Sequence, residues 1–389
     1  MTSSLLGPFA FLYDAAIRAR ASLYRSGWLR SEAASVPVLS VGNIVAGGTG
    51  KTPVTALVAR LLHEAGLRPA IVSRGYLGRR DDDPLVVSDA AAMNGKATAA
   101  SAGDEPMMLA RLLPGVPVVV ARRRSEGARL AVSRLGARVL VLDDGFQHLA
   151  LRRDLDLVLL DAESPFDNGR LLPAGLLREP PAALGRATAI AATGLLNDQE
   201  SAAMSSAVGM GPASPPLSEV VSRWAKPGTP LFHIAIEPTF VVSGRDPDPR
   251  SPKGIADLTD SSWFEGMHVV AFAGIARPHR LTKDLRRLGA EVVSFEPYPD
   301  HHVYTAGEIR HLLSKVRDIA PDAFVTTEKD LERLRGTPFL EQLIEKGLLA
   351  LRVEATLAAR EMSAFRNLIL GAARGDLDRP RGDSAEAPR

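Results

Sequence analysis

The run Ser40-Val41-Gly42-Asn43-Ile44-Val45-Ala46-Gly47-Gly48-Thr49-Gly50-Lys51-Thr52 constrains this chain more than any other stretch. An apolar strand at residues 36–41 feeds a glycine-rich loop, then Gly-Lys-Thr, then an amphipathic segment over 52–64. Strand, loop and helix in that order are the context a phosphate-binding P-loop requires. Glycines let backbone N–H groups turn inward around phosphate oxygens at a helix N-terminus, where the helix dipole favours anions. Gly47, Gly48, Thr49, Gly50, Lys51 and Thr52 are therefore read as the nucleotide-binding loop. Lys51 is placed to reach the β- and γ-phosphates, and the Thr52 hydroxyl to ligate Mg²⁺. One departure is Val45, which stands where such loops usually carry their first glycine.

A P-loop needs a carboxylate on a second strand for the Mg²⁺ shell, and Val139-Leu140-Val141-Leu142-Asp143-Asp144 supplies two. Adjacent carboxylates at a strand end are costly unless a cation or donors offset them, so Asp143 and Asp144 are read as metal-site residues. Guanine-specific P-loop proteins carry N-K-x-D, which is absent; Thr327-Glu328-Lys329-Asp330 has the wrong spacing. ATP is the expected nucleotide. How adenine is held is not legible.

Further strand-like runs at 69–73, 116–120, 138–142 and 155–161 alternate with helical stretches at 105–113 and 125–135. A second series at 268–273, 291–295, 323–327 and 348–353 follows. Near-continuous apolar strands separated by helices predict an α/β fold with a parallel sheet covered on both faces. Residues 204–228, rich in Ser, Pro and Gly, read as a connection, and 231–236 with 240–243 as a β-hairpin turning at Glu237-Pro238-Thr239. The predicted organisation is an N-terminal helix (1–30), a P-loop lobe (31–225), a hairpin linker (226–245), a smaller α/β lobe (246–372) and a disordered tail (373–389).

The 389 residues contain no cysteine, which excludes disulfides, a thiol nucleophile and cysteine-ligated metal. A formal charge of +2, from 47 basic and 45 acidic residues, advertises no nucleic-acid partner. On a helical wheel Leu5, Leu6, Phe9, Leu12, Tyr13, Ala16, Ile17, Leu23 and Tyr24 share one broad face, with Asp14, Arg18 and Arg25 opposite. Its positive charges follow the apolar run rather than precede it, so a secretory signal is not expected. Basic amphipathic helices with aromatic anchors lie in membrane interfaces; packing on the domain's own core is the alternative the residues leave open.

Three patches at loop positions concentrate polar groups: Ser73-Arg74-Gly75-Tyr76, Gly103-Asp104-Glu105-Pro106 and Tyr298-Pro299-Asp300-His301-His302. Singly, each has a bland reading, the acids as helix-start charges and the histidines as surface residues. Together with the P-loop, with Asp143–His148 (DDGFQH), 168–180 (NGRLLPAGLLREP), 272–278 (FAGIARP) and 326–330 (TTEKD), they form an ordered set covering most of residues 10–370. In this the chain resembles the tetraacyldisaccharide 4′-kinase family, the lipid A 4′-kinases of Gram-negative bacteria. Ala276 departs from a common glycine, and the segment after about 373 has no counterpart.

The resemblance implies a P-loop kinase using Mg-ATP on the 4′-hydroxyl of a tetraacyldisaccharide 1-phosphate. It implies a peripheral protein at the cytoplasmic face of the inner membrane, with no protein partner. The family's catalytic pair maps onto Asp104 and His301, and Lys51 joins them. Tyr76, Arg124 and His148 map onto positions near the lipid head group, with Arg122 and Arg123 adjoining Arg124. The rival readings are a P-loop enzyme of a soluble metabolite and a nucleotide-switch or metallochaperone protein.

Overall fold

The computed structural model describes residues 6–75, 83–194, 217–243, 255–257 and 263–376. The chain runs α1 (Gly7–Arg25), β1 (Val38–Asn43), α2 (Lys51–Glu64), β2 (Pro69–Ser73), β3 (Leu85–Ser88), α3 (Ala99–Ala102), α4 (Asp104–Leu112), β4 (Val118–Val120), α5 (Arg124–Ser133), β5 (Val139–Asp143), β6 (Leu155–Asp161) and β7 (Ala189–Thr193). It continues through α6 (Leu217–Trp224), β8 (Leu231–Ser243), β9 (Ile255–Asp257), β10 (His268–Ala273), α7 (His279–Arg287), β11 (Glu291–Pro297), α8 (Ala306–Ile319), β12 (Ala323–Thr327), α9 (Glu328–Leu334), α10 (Phe339–Ile344), β13 (Leu348–Leu357) and α11 (Ala359–Arg374).

The fold is α/β and P-loop-like, built on one sheet of thirteen strands ordered β11-β10-β12-β13-β8-β7-β6-β1-β5-β2-β4-β3, with β9 on β8. Pairing is parallel from β7 through β6, β1, β5 and β2 to β4. It is parallel again among β11, β10, β12 and β13. These two parallel blocks meet at one long antiparallel pair, β8 with β13. Strands β1, β2, β5, β6 and β7 are buried along their whole length, as sequences apolar on both faces must be. Core side chains segregate accordingly, one set around β1, α2 and α4, another around β10, β12 and α9.

Two expectations change. Residues 231–243 are one strand and not a hairpin: Arg352 pairs with Phe240 and Val353 with Pro238, so Thr239 is the extra residue of a β-bulge. Proline lacks the N–H a ladder needs and is accommodated at such irregularities, so the Pro-Thr pair that reads as a turn only bends the strand. Within the connection expected at 204–228, Leu217–Trp224 is a helix burying Val220 and Val221; residues 204–216 lie outside the described residues. So do residues 377–389 of the expected tail.

Helix α11 returns to the first core, where Phe365, Ile369 and Ala372 join residues of α2. The chain therefore crosses the β8–β13 pair twice. Both halves bring the C-terminal ends of parallel strands into loops around one cavity, the usual location of ligand sites in open α/β sheets.

Candidate active site

The glycine loop follows β1 directly. Gly50 has φ +76°, the left-handed region where glycine carries no Cβ penalty, and it is the residue before α2. The Asn43 side chain shapes the loop from below, donating to the Val45 carbonyl at 2.6 Å and to the Thr49 hydroxyl at 2.7 Å. Thr193, at the end of β7, donates to the Thr49 carbonyl at 3.0 Å. Thr52 is buried in the first turn of α2, and Lys51 Nζ lies 3.5 Å from the Gly47 carbonyl. Asn43 and Thr193 escaped the sequence reading because their role is to hold a loop, which no motif spells.

Asp143 ends β5 almost wholly buried, accepting from Thr55 Oγ1 at 3.2 Å and Ser73 Oγ at 3.1 Å. Burial first, then the neighbouring charges of Glu105 and Asp144, push its carboxyl up to about 6. Asp144 adopts φ +50°, a conformation that Asp tolerates better than most residues. Its Oδ2 accepts from Arg178 Nη1 at 2.7 Å, and Lys51 Nζ stands 3.9 Å from Oδ1. Burial would raise Asp144, but Lys51 and Arg178 outweigh it and hold the carboxyl below its ordinary range. Buried Asp144 Oδ1 receives no hydrogen bond from the described residues. An unsatisfied anionic oxygen in the cavity that Thr52 also lines, on the residue next to a second carboxylate, fits Mg²⁺, which keeps few protein ligands and shares nucleotide phosphates.

Asp104 and His301, 197 positions apart, meet at 3.1 Å between Oδ2 and Nδ1. Gly103, at φ +94°, lets the chain turn so that Asp104 opens α4. His301 lies in the loop after β11 at φ +57°, held there by its N–H donating to the Gly274 carbonyl at 3.1 Å. A non-glycine residue in that region persists only where its surroundings over-determine it. Asp104 is 5% exposed. Burial would raise it, but the His301 hydrogen bond, Lys329 and Arg333 prevail and keep the carboxyl well below the usual range. Lys329 pairs with Glu105 at 2.8 Å. Arg333 does not stand out in sequence and Lys329 does so only as part of the 326–330 run, because their pairing depends on α9 packing against α4.

The residues expected near a lipid head group are placed unevenly. Tyr76 lies outside the described residues. Arg124 turns inward: it is 5% exposed and its Nη2 donates to the carbonyls of Asp143 at 2.8 Å and Asp144 at 2.9 Å. It therefore braces the carboxylate turn from behind, whereas Arg122 and Arg123 are exposed. His148 is half-buried; burial, then Arg124, Arg153, Arg20 and Arg74, lower it to about 4. Helix α1 lies beside this region. Tyr13 donates to the Arg178 carbonyl at 3.2 Å and Arg20 to the Gln147 carbonyl at 3.1 Å.

A cavity of about 480 Å³ joins these elements, lined by residues 46–53, Asp144 and Arg178 from the first half and by Arg277, His301 and Lys329 from the second. Its walls also include Ile236, Ile275, Leu281, Leu351 and Val353. The model of the tetraacyldisaccharide-1-P 4′-kinase family matches residues 2–373. The chain belongs to that family. It is 37% identical over 370 residues to the tetraacyldisaccharide 4′-kinase of Syntrophus aciditrophicus, covering 94% of this chain and 92% of that one. It is 41% identical to the enzyme of the same name from Anaeromyxobacter dehalogenans strain 2CP-C, covering 89% and 84%. A crystal structure of LpxK from Aquifex aeolicus, described as an "apo" form in complex with ATP, superposes with a TM-score of 0.68 at 32% identity. It covers 96% of this chain and 99% of that one.

Proposed function

We propose that this protein transfers the γ-phosphate of ATP to the 4′-hydroxyl of a tetraacyldisaccharide 1-phosphate in lipid A biosynthesis. The observation that carries the reading is the Asp104–His301 contact, formed at the wall of the cavity that also contains the glycine loop. No local rule brings these residues together; shared chemistry accounts for it.

Phosphoryl transfer is mostly positioning and charge neutralisation. The backbone of Gly47–Thr52 cradles the phosphates, and Lys51 offsets charge on the migrating group. The apolar walls of the cavity suit the base and ribose of ATP. Thr52, Asp143 and Asp144 would hold Mg²⁺, which when bound neutralises phosphate charge. The 4′-oxygen forms its bond to the γ-phosphorus as the bond to the ADP oxygen breaks. His301 takes the hydroxyl proton at Nε2, while Asp104 accepts from Nδ1–H and stabilises the imidazolium. Arg178 keeps Asp144 oriented, and Arg124 keeps the turn rigid.

The acceptor's acyl chains remain in a bilayer, so the enzyme must come to them. Helix α1 buries no residue. Tyr13, Ile17, Ala21 and Tyr24 are half-buried against the protein, whereas Phe9, Phe11 and Leu12 are 62%, 72% and 64% exposed, with Trp28 beyond the helix also exposed. An aromatic, apolar face left in water beside a candidate site supports interfacial docking at the cytoplasmic face of the inner membrane. No described helix is long and apolar enough to cross one. The deciding experiment incubates pure protein with Mg-ATP and a tetraacyldisaccharide 1-phosphate in detergent, then applies mass spectrometry. Gain of one phosphate mapped to the 4′-oxygen is expected; phosphate elsewhere, or none, would refute the reading.

A further inference from the structure

We infer that Arg333 is a positioning residue for the Asp104–His301 pair: its guanidinium fixes the Asp104 carboxylate and takes up part of its charge. The inference rests on the reading of that pair as the acid–base unit. Its basis is that one side chain reaches both the Asp104 carboxylate and the carbonyl that holds the His301 backbone. Arg333 Nε donates to Asp104 Oδ2 at 2.7 Å and Nη2 approaches the same oxygen more closely. That oxygen also receives His301 Nδ1, so guanidinium and imidazole share one acceptor. Nη1 donates at 2.5 Å to the Gly274 carbonyl, the group that holds the His301 backbone in its left-handed conformation.

The arginine is itself built in. Its side chain is 8% exposed, and its Nη1 is 2.8 Å from Oδ1 of Asp330, which is fully buried. Asp330 accepts from Tyr304 Oη at 2.8 Å, Thr327 Oγ1 at 2.6 Å and the Gly274 N–H at 3.1 Å. A guanidinium gripped on its far side by a saturated carboxylate cannot swing away, so α9 delivers a fixed fork onto α4.

The electrostatic consequence follows from spacing. Arg333 Nη2 is 3.5 Å from His301 Nδ1. Both groups are donors when Nδ1 carries its proton toward Asp104, which leaves Nε2 with the lone pair. A cation at that distance takes up part of the Asp104 charge that faces the ring. Among the described residues, the charged groups near the pair include Asp300, whose Oδ2 is 3.8 Å from Nε2, Glu105 on α4, Lys329 on α9 and Lys51, which line the same cavity, and Asp330 behind Arg333. Removing Arg333 leaves Asp104 with its full charge beside the ring.

The test is the kcat–pH profile of the full chain between pH 5.5 and 9, with Mg-ATP and the tetraacyldisaccharide 1-phosphate in detergent micelles. Arg333→Gln should lower kcat by about 10- to 100-fold, leave KM for ATP within about threefold, and move the acid limb upward by about one pH unit. Arg333→Lys retains the charge but not the fork, so its limb should stay in place while kcat still falls. In His301→Ala the acid limb should be absent with or without Arg333. A limb unmoved in Arg333→Gln would overturn the inference. Should Arg333→Gln fail to fold, wild-type kcat in Arg333→Lys would overturn it. If His301→Ala keeps the limb, the acid–base reading itself falls; if it loses the limb while Arg333→Gln superposes on wild type, only the inference does.

Discussion

At the scale of single residues, the site separates groups that do chemistry from groups that hold them, and substitution distinguishes the two. Lys51 belongs to the first kind, so Lys51→Ala should cut kcat by about two to four orders of magnitude with the thermal midpoint nearly unchanged. Turnover near wild type in folded Lys51→Ala would remove the loop from the mechanism. Asp104→Ala and His301→Ala should each lose about 10²–10⁴ in kcat. The double mutant should be scarcely worse than the poorer single, because groups acting as one unit are not additive. His302 is the internal control: its Nε2 is 3.0 Å from Glu308 and its ring stacks on Tyr298 at 4.7 Å, away from Asp104. His302→Ala should cost packing but not chemistry, and losses that simply multiply in the Asp104/His301 pair would count against a shared role. His148 gives a stability prediction. Folding lowers it to about 4, so below its ordinary value near 6.5 the unfolded chain binds a proton the native state refuses. Native stability is then full above about pH 6.5 and falls toward pH 4, by at most about 3 kcal/mol from this group. Urea unfolding of His148→Asn at pH 4.5 and 7.5 should show a smaller difference than wild type; equal differences would contradict the assignment.

Elements show where sequence reasoning works and where it stops. Helix α1 is amphipathic as its spacing predicts, but the single apolar face divides: Tyr13, Ile17 and Tyr24 rest on the protein and Phe9, Leu12 and Leu23 face solvent. If the second group is a membrane anchor, Phe9→Ser with Leu12→Ser should weaken binding to anionic lipid vesicles by about one to two orders of magnitude. The thermal midpoint should hold, since neither side chain is buried. Vesicle binding unchanged, or a midpoint drop of many degrees, would return the helix to the core. Strands β2, β6, β10 and β12 are legible to the residue because each is a continuous apolar run bounded by turn residues. β3 and β7 are not: Leu85–Ser88 is too short to rise above chance, and Ala189–Thr193 is mostly small residues with weak strand preference. The Pro-Thr bulge in β8 misleads for a local reason, since proline marks turns and bulges alike. Among site residues, the glycine loop and the paired aspartates are legible because their chemistry is contiguous. Arg333 is not, and the role of Lys329 within the 326–330 run is not, because their partners lie on α4, more than 220 positions away.

Over the whole molecule, the two halves share a sheet, β13 and α11 reach into the first core, and ion pairs tie the halves across the cavity. Besides the pairs between α4 and α9, Asp161 at the end of β6 meets Arg277 and Arg280 of the second half, the latter at 3.2 Å. The Asp161 side chain is 2% exposed and both arginines are about one-third exposed. Asp161 also accepts from the N–H groups of Glu163 and Ser164 at 3.0 and 3.1 Å. It is thus a saturated buried carboxylate whose strongest partners come from the other half. Asp161→Asn keeps the shape and removes the charge, leaving two guanidiniums at the wall of a cavity that already contains Lys51, Arg178 and Lys329. Removing one member of a fully buried pair costs about 3–5 kcal/mol, but the partly exposed arginines reduce this to about 1–2 kcal/mol. The thermal midpoint should therefore fall by several degrees without nucleotide. Mg-ATP brings negative charge into the same cavity and binds only the folded protein, so it should raise the midpoint of Asp161→Asn by more than it raises that of wild type. Differential scanning calorimetry of both proteins, with and without Mg-ATP, measures the two shifts. An equal rise in both would mean that Asp161 closes the halves without competing for the charges that face the nucleotide, and a midpoint unaffected by the substitution would mean that the β8–β13 pair, the α4–α9 pairs and the shared core hold them without it.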